Sequence, residues 1–190
     1  MRNLLLIWTF FLLLGQVALG QTYSSTVSDK EIYDFLNWMT KYDKKYSGEP
    51  WFKGKQICQK IRTWDKSNFN KEQSSMNDSF GGNYLFKKRA GTDTIFNKAD
   101  REYILRQYSS IKDSIWRNSF ASGNFINCLN QKRPNRYYYS IPLFSIDKSF
   151  VIVSRTYVCG NECAHGGYYI YRKRQSGKWE YVTTVNGWMS

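Results

Sequence analysis

The last third of the chain alternates between apolar and polar residues, which is the pattern of β-strands. From Arg136 to Ser190, aromatic and β-branched residues recur at nearly every second position, and short turn signals interrupt them. Gln175-Ser176-Gly177-Lys178 is typical of a hairpin turn, and Asn186-Gly187 predicts a second turn that folds Trp188 back. The pattern predicts antiparallel strands over 136–144, 150–158, 168–173 and 179–185.

Helical spacing replaces this alternation in two segments further upstream. Ser28 and Glu31 form a capping box, and the apolar positions after them predict a helix over about 29–43. Asn97 predicts the start of a second helix that runs to about 112, in which Gln107 is expected to be a hydrogen-bonded core amide. Residues 51–66 fit either a short helix or a strand.

These elements predict one α+β domain over residues 21–190. We expect an antiparallel sheet of three to five strands in the C-terminal half, with two or three N-terminal helices packed on one face. Trp179 is predicted to face the core together with Tyr181 and Val185. The chain shows neither an internal repeat nor a low-complexity linker, so a single domain is the simplest prediction.

Residues 1–20 have the organisation of a secretory signal. Arg2 precedes an apolar run over 4–14, and Ala18-Leu19-Gly20 offers small residues for cleavage after Gly20. The run is too short for a membrane anchor, which needs about 20 apolar residues. We therefore expect an exported protein, periplasmic or extracellular, with no transmembrane segment in the mature chain.

Four cysteines in an exported chain predict two disulfides. Three pairings are open, and we favour Cys58 with Cys128 and Cys159 with Cys163, because the second pair lies within one short loop. A zinc site built on Cys159, Cys163 and His165 has suitable spacing, but thiols oxidise in this compartment. We therefore predict no metal and no cofactor.

The formal net charge of the chain is +13, and loss of the signal segment with its single Arg2 lowers the charge to +12. Such a charge either serves solubility alone or favours an anionic partner. No nucleic-acid-binding motif accompanies the charge. The predicted binding residues are two arginines that share a strand face and the neighbouring aromatic and imidazole side chains, namely Arg172, Arg174, Tyr168 and His165.

The sequence favours a non-catalytic module that associates with an anionic envelope or extracellular polymer. One alternative is a hydrolase that uses His165, the single histidine, with carboxylates such as Asp147 and Glu162. No catalytic residue is assigned, because no nucleophile motif is present. The other alternative is an inhibitory or structural partner of another exported protein, which predicts an exposed apolar patch or an unpaired sheet edge over 137–144.

Several short motifs follow one another between residues 96 and 190. They are F-x-x-x-D from Phe96 to Asp100, then Gln107 and Trp116, I-P-x-F-S at Ile141–Ser145, C-G-x-x-C-x-x-G-G at Cys159–Gly167, G-K-W at Gly177–Trp179 and W-x-S at Trp188–Ser190. As a set they resemble a group of small exported bacterial proteins of unknown function. The resemblance implies export and an α+β sheet, and it carries over no site roles.

Overall fold

The computed structural model describes residues 23–46, 56–70, 84–86, 91–112, 115–117, 125–128, 136–159 and 163–190, with the backbone alone at 42–46 and 56. The helices are α1 (Asp29–Tyr46), α2 (Thr92–Ile95) and α3 (Lys98–Ser109), and Lys66–Asn68 form a 3-10 turn. None of the described helices is long and apolar enough to span a membrane. The strands are β1 (Gln56–Cys58), β2 (Phe125–Ile126), β3 (Arg136–Tyr139), β4 (Leu143–Phe144), β5 (Phe150–Val158), β6 (Ala164–Lys173) and β7 (Trp179–Met189).

The strands form one mixed sheet of seven strands in the order β2-β1-β3-β5-β6-β7, with β4 beside β5. Strand β1 runs parallel to both β2 and β3, and the other pairs are antiparallel. The predicted antiparallel sheet of three to five strands is therefore wrong. Strands β1 and β2 span three and two residues, which is too few to show an alternating pattern. Parallel strands are also not joined by a hairpin, so the sequence contains no turn signal for their pairing.

Helices cover both faces of the sheet, so the prediction that they pack on one face is also wrong. Val151 and Val153 of β5 belong to the core cluster that contains α1, whereas Ile152 belongs to the cluster that contains Ile104 of α3. We call these two surfaces of the sheet the α1 face and the α3 face. A strand buried on both faces reads as a continuous apolar run, and Phe150-Val151-Ile152-Val153 is such a run, so a signal for two covered faces was present in the sequence.

Both helix starts predicted from the sequence are confirmed. At α1, the Glu31 amide donates to Ser28 Oγ at 3.3 Å, and the Ser28 amide donates to Glu31 Oε2 at 3.2 Å, as a capping box requires. At α3, Asn97 Oδ1 accepts from the Asp100 amide at 2.9 Å. Gln107 is the predicted core amide, and it bonds both the N–H and the C=O of Phe144 in β4.

Strand β7 departs from the predicted register. A shift at Ile170/Tyr171 adds one residue to β7, so Trp179 packs on the α1 face while Val185 is buried on the α3 face. The prediction that these two side chains share a face is wrong, because a one-residue bulge moves the following side chains to the other side of the sheet. Trp179 is half-buried, and Tyr181 is 57% exposed.

The predicted turn at Asn186-Gly187 is likewise a bulge. Strand β7 continues to Met189, and a second shift, at Gly166/Tyr168, absorbs the extra residue. Asn186 has a φ of +50°, the left-handed conformation that both turns and bulges use, so the dipeptide alone does not distinguish the two. The other turn is confirmed, since Gly177 has a φ of +77° in the β6–β7 hairpin.

Both favoured disulfides are formed. Cys58 at the end of β1 bonds Cys128 just after β2, with 5.5 Å between their Cα atoms. Cys159 bonds Cys163 across the loop between β5 and β6. The first bond holds the parallel edge of the sheet together, where the strands themselves are very short.

Candidate functional site

The arginines predicted to bind a ligand are engaged within the protein. Arg172 Nε donates to Glu180 Oε1 at 2.8 Å across the β6–β7 hairpin, and Arg174 forms an ion pair with Glu180 Oε2. Hydrogen bonds from Arg174 and Arg172 hold the pKa of the Glu180 carboxyl below its usual value. Part of the positive charge of this hairpin is therefore already neutralised.

Tyr168 has a structural role on the α3 face. Its ring stacks on Trp64 with 5.5 Å between centroids and 11° between planes. Its hydroxyl donates to Asn68 Oδ1 at 2.7 Å, and burial raises the pKa of this tyrosine. These contacts join β6 to the segment that leads into the 3-10 turn.

His165 lies on the α1 face of β6, so the four predicted binding residues do not form one site. The His165 ring lies 5.0 Å from the ring of Tyr157, to which it is opposite across β5 and β6. Tyr168 is an odd number of residues away and faces the other side of the sheet. Arg172 lies seven residues further along β6, or roughly 23 Å at the rise of an extended strand.

The groups required for the hydrolase alternative are also apart. Asp147 lies in the turn before β5, where hydrogen bonds from Ser145 and Ser149 lower its pKa, so it is a poor general acid. His165 pairs with Tyr157 at the far end of β5, roughly 23 Å away along the strand. Glu162 lies outside the described residues.

The unpaired edge predicted for 137–144 is wrong as well. Strand β3 has β1 on one side and β5 on the other, and β4 pairs with β5. Tyr137 and Phe144 are buried. Strand β3 therefore lies in the interior of the sheet, whereas β4 pairs with β5 alone and its Phe144 backbone is bonded by the Gln107 side chain.

A cleft of 590 Å3 opens on the α3 face beside β3. One wall is the segment 59–63, which continues β1. Among the described residues, three backbone hydrogen bonds hold it: the Arg62 amide donates to the Tyr139 carbonyl, the Gln59 amide to the Ile126 carbonyl, and the Trp116 amide to the Gln59 carbonyl. The Cys58–Cys128 disulfide lies at one end of this wall. The described lining residues are Gln59, Lys60, Ile61, Arg62, Thr63, Ile115, Asn127, Cys128, Tyr138, Thr156 and Val158.

Two cations line this cleft, and none of its described lining residues is acidic. Lys60 is exposed, and Arg62 is half-buried because its side chain crosses β3 to donate from Nε to Ser154 Oγ at 2.9 Å. That bond restricts the plane of the guanidinium, and the two terminal nitrogens make no hydrogen bond to another residue that the structure describes. Arg136 adds a third cation close by, with its guanidinium 5.9 Å from the centre of the Tyr138 ring.

The floor of the cleft carries a buried hydroxyl. Thr156 is only 5% exposed, and its Oγ1 has no hydrogen-bond partner among the residues that the structure describes. A buried polar atom without a partner costs free energy, on the order of 1–3 kcal/mol. This oxygen has almost no solvent-accessible surface, so a ligand in the cleft does not reach it, and its burial is a cost inside the sheet.

Metal binding receives no support within the described part of the chain. No group of three or more histidine, cysteine, aspartate or glutamate residues is placed there to hold a metal ion. The two thiols of the zinc alternative are bonded to each other.

Lys60, Arg62 and Thr156 are not among the residues predicted to bind. A signal for the first two was present, because Lys60-Ile61-Arg62 alternates, with both cations on one side of an extended chain and the isoleucine on the other. The burial of Thr156 follows from long-range packing, and no local sequence pattern predicts it.

Comparisons of the chain with protein-family models, with curated proteins and with solved structures found no match. The resemblance of residues 96–190 to small exported bacterial proteins stays a prediction.

Proposed function

We propose that the protein is a non-catalytic, exported basic module that associates with an anionic polymer of the cell envelope or of the extracellular surroundings. One observation carries the proposal: Lys60 and Arg62 line one cleft, and none of its described lining residues is a carboxylate. The charge of +12 expected for the mature chain attracts polyanions to the whole surface. The two cations add a local contact with fixed geometry.

Export is supported by the signal pattern of residues 1–20 together with the two disulfides. Disulfides persist in oxidising compartments such as the periplasm and the extracellular space. Anionic polymers are abundant partners in both, so the expected location and the expected ligand agree.

Arg62 suits an anionic ligand better than the hairpin arginines do. Its guanidinium is oriented by Ser154, and no ion pair involves it within the described residues. A planar guanidinium with free terminal nitrogens binds a carboxylate or phosphate through two parallel hydrogen bonds. Arg172 and Arg174 are instead shared with Glu180. The proposal therefore places the main contact in the cleft.

The test is retention of the protein on immobilised polyanions at low and at high salt. Binding driven by charge weakens steeply with salt, because counterions compete for the same positions. We expect Lys60→Ala/Arg62→Ala to abolish most of the retention at low salt. The control is Lys112→Ala/Lys178→Ala, which removes the same charge from two exposed positions outside the cleft.

Retention of this control close to that of the unmodified protein supports the proposal. Equal losses in the two double variants would show that the overall charge, and not the cleft, is responsible. Absence of retention on every polyanion at low salt would reject the proposed function altogether.

A further inference from the structure

We propose that the polymer is an anionic polysaccharide, and that its chain lies across the strands of the α3 face from the Lys60–Arg62 cleft to Trp188. This inference rests on the proposed function, because it names the chemical class of the polymer and the path that the polymer takes.

A row of four side-chain positions crosses the sheet at this level. Tyr138 of β3 is opposite Thr156 of β5, Thr156 is opposite Gly166 of β6, and Gly166 is opposite Trp188 of β7. Neighbouring strands are about 4.8 Å apart, so the two aromatic residues are separated by roughly 14 Å. We call these four positions the cross-strand row.

Gly166, in the middle of the cross-strand row, has no side chain, and the indole of Trp188 packs against its backbone. A Cβ atom on Gly166 would be only 3.0 Å from Trp188 Cζ2 and 3.0 Å from Thr156 Oγ1. The indole therefore packs over the glycine, close to the buried hydroxyl. Trp188 is nevertheless 41% exposed, so part of its ring surface faces solvent.

This arrangement matches the surface of a sugar polymer. The apolar C–H face of a sugar ring packs on an aromatic ring, and Tyr138 and Trp188 place such rings at the two ends of the row. The accessible neutral polar groups of the cleft, namely Gln59, Thr63 and Asn127, suit exchange of hydrogen bonds with sugar hydroxyls. The terminal nitrogens of Arg62 suit a carboxylate or a sulfate on the same polymer.

Size and shape favour a short stretch of the polymer over a single ion. The cleft of 590 Å3 falls within the range of roughly 300–1,000 Å3 typical of sites for small organic ligands. An inorganic anion would occupy a small part of it. The exposed part of the Trp188 ring, at the far end of the cross-strand row, extends the contact surface beyond the cleft.

A polyanion without sugar rings uses the cations but not the aromatic residues. Inorganic polyphosphate is therefore the matched probe, because it shares the charge of an oligouronate, a short polymer of uronic acids, and lacks its rings. A single-stranded oligonucleotide provides the third probe, since its bases also stack on aromatic side chains.

The experiment measures the affinity of the mature protein for labelled oligouronate, polyphosphate and the oligonucleotide at one low salt concentration. We expect Trp188→Ala to weaken oligouronate binding about tenfold and to leave polyphosphate binding within twofold. Trp188→Phe should restore most of the oligouronate affinity, because a smaller aromatic platform remains. Tyr181→Ala, an exposed aromatic of the same strand on the other face, should change neither.

The double variant Lys60→Ala/Arg62→Ala should weaken the binding of both oligouronate and polyphosphate. If that double variant lowers the affinity for both polymers but Trp188→Ala lowers the affinity for neither, the proposed function stands and the polysaccharide path is rejected. Tighter binding of the oligonucleotide than of the oligouronate rejects the polysaccharide in favour of nucleic acid. The path is also rejected if Trp188→Ala loses binding to both polymers and has a lowered melting temperature, and if Trp188→Phe does not restore binding.

Discussion

Strand β5 is buried from Val151 to Tyr157, yet its two halves differ in chemistry. The first half presents Val151, Ile152 and Val153, and helices α1 and α3 cover it on opposite faces. The second half presents Ser154, Arg155 and Thr156, which are equally buried and polar. Apolar burial stabilises a fold, whereas polar burial costs free energy unless hydrogen bonds compensate. The helix-covered half therefore contributes apolar stabilisation, whereas the polar half depends on compensating contacts.

The environment of Arg155 illustrates the second half. Its side chain is 5% exposed on the α1 face, with the guanidinium 3.9 Å from the ring centre of Tyr169 and 5.9 Å from that of Tyr137. Contacts of a guanidinium with aromatic faces partly replace the solvation lost on burial. The apolar half contains no charge on β5 that needs such compensation.

The largest expected effect is on the helix-covered half. Ile152 is fully buried against the α3 cluster, so Ile152→Ala should lower the free energy of unfolding by about 3–4 kcal/mol through lost apolar contact and a cavity. Urea unfolding measures the change. Polyanion binding by the folded variant should stay within twofold of the unmodified protein. A loss of affinity as large as the loss of stability would show that the two halves are not separable.

The sequence predicts the parts of this comparison that depend on neighbouring residues. The helix caps at Ser28 and Asn97 and the hairpin around Gly177 are local, and each was found where its pattern indicated. The pairing of Arg172 with Glu180 was also within reach, because the hairpin register places the two opposite each other.

The cleft could not be predicted in the same way. Its wall depends on the contact of the Arg62 amide with the Tyr139 carbonyl, and of Lys60 with Ile115, across long stretches of chain. Parallel pairing of β1 with β3 has no turn signal. The hydrophobic pattern therefore indicates that strands exist, and the order of the short ones comes only from tertiary packing.

A smaller effect of opposite sign is expected on the polar half. Thr156→Val keeps the shape of the side chain and removes a buried hydroxyl that has no partner in the described part of the protein. We expect the free energy of unfolding to rise by about 1 kcal/mol, because the desolvation cost of the hydroxyl disappears. Oligouronate affinity should stay within twofold, because the enclosed hydroxyl is out of reach of a ligand in the cleft. A several-fold loss of affinity would show instead that the hydroxyl contacts the ligand.

The smallest effect concerns pH and the helix-covered half. Glu31 joins the start of α1 to the β4–β5 turn through an ion pair with Lys148. Burial raises the pKa of Glu31, but hydrogen bonds from Lys148 and Ser28 outweigh it, and the net pKa lies below its usual value. Because the pKa is lower in the folded state, the stabilisation is fully present above the unfolded pKa, which is about 4.3. It is lost as the pH falls through the folded pKa.

Replacement of Glu31 with Gln should therefore lower stability at neutral pH and have little effect in acid. We expect at most about 1 kcal/mol at pH near 7, since both partners are more than a third exposed and solvent screens the pair. Urea unfolding at neutral pH and well below the usual carboxyl pKa would measure the difference. Asp34→Asn, which removes an exposed ion pair with Lys30 on the same helix, is the control and should show a smaller change at either pH. A difference for Glu31→Gln that persists undiminished in acid would mean that the side chain acts through its shape and not through its charge.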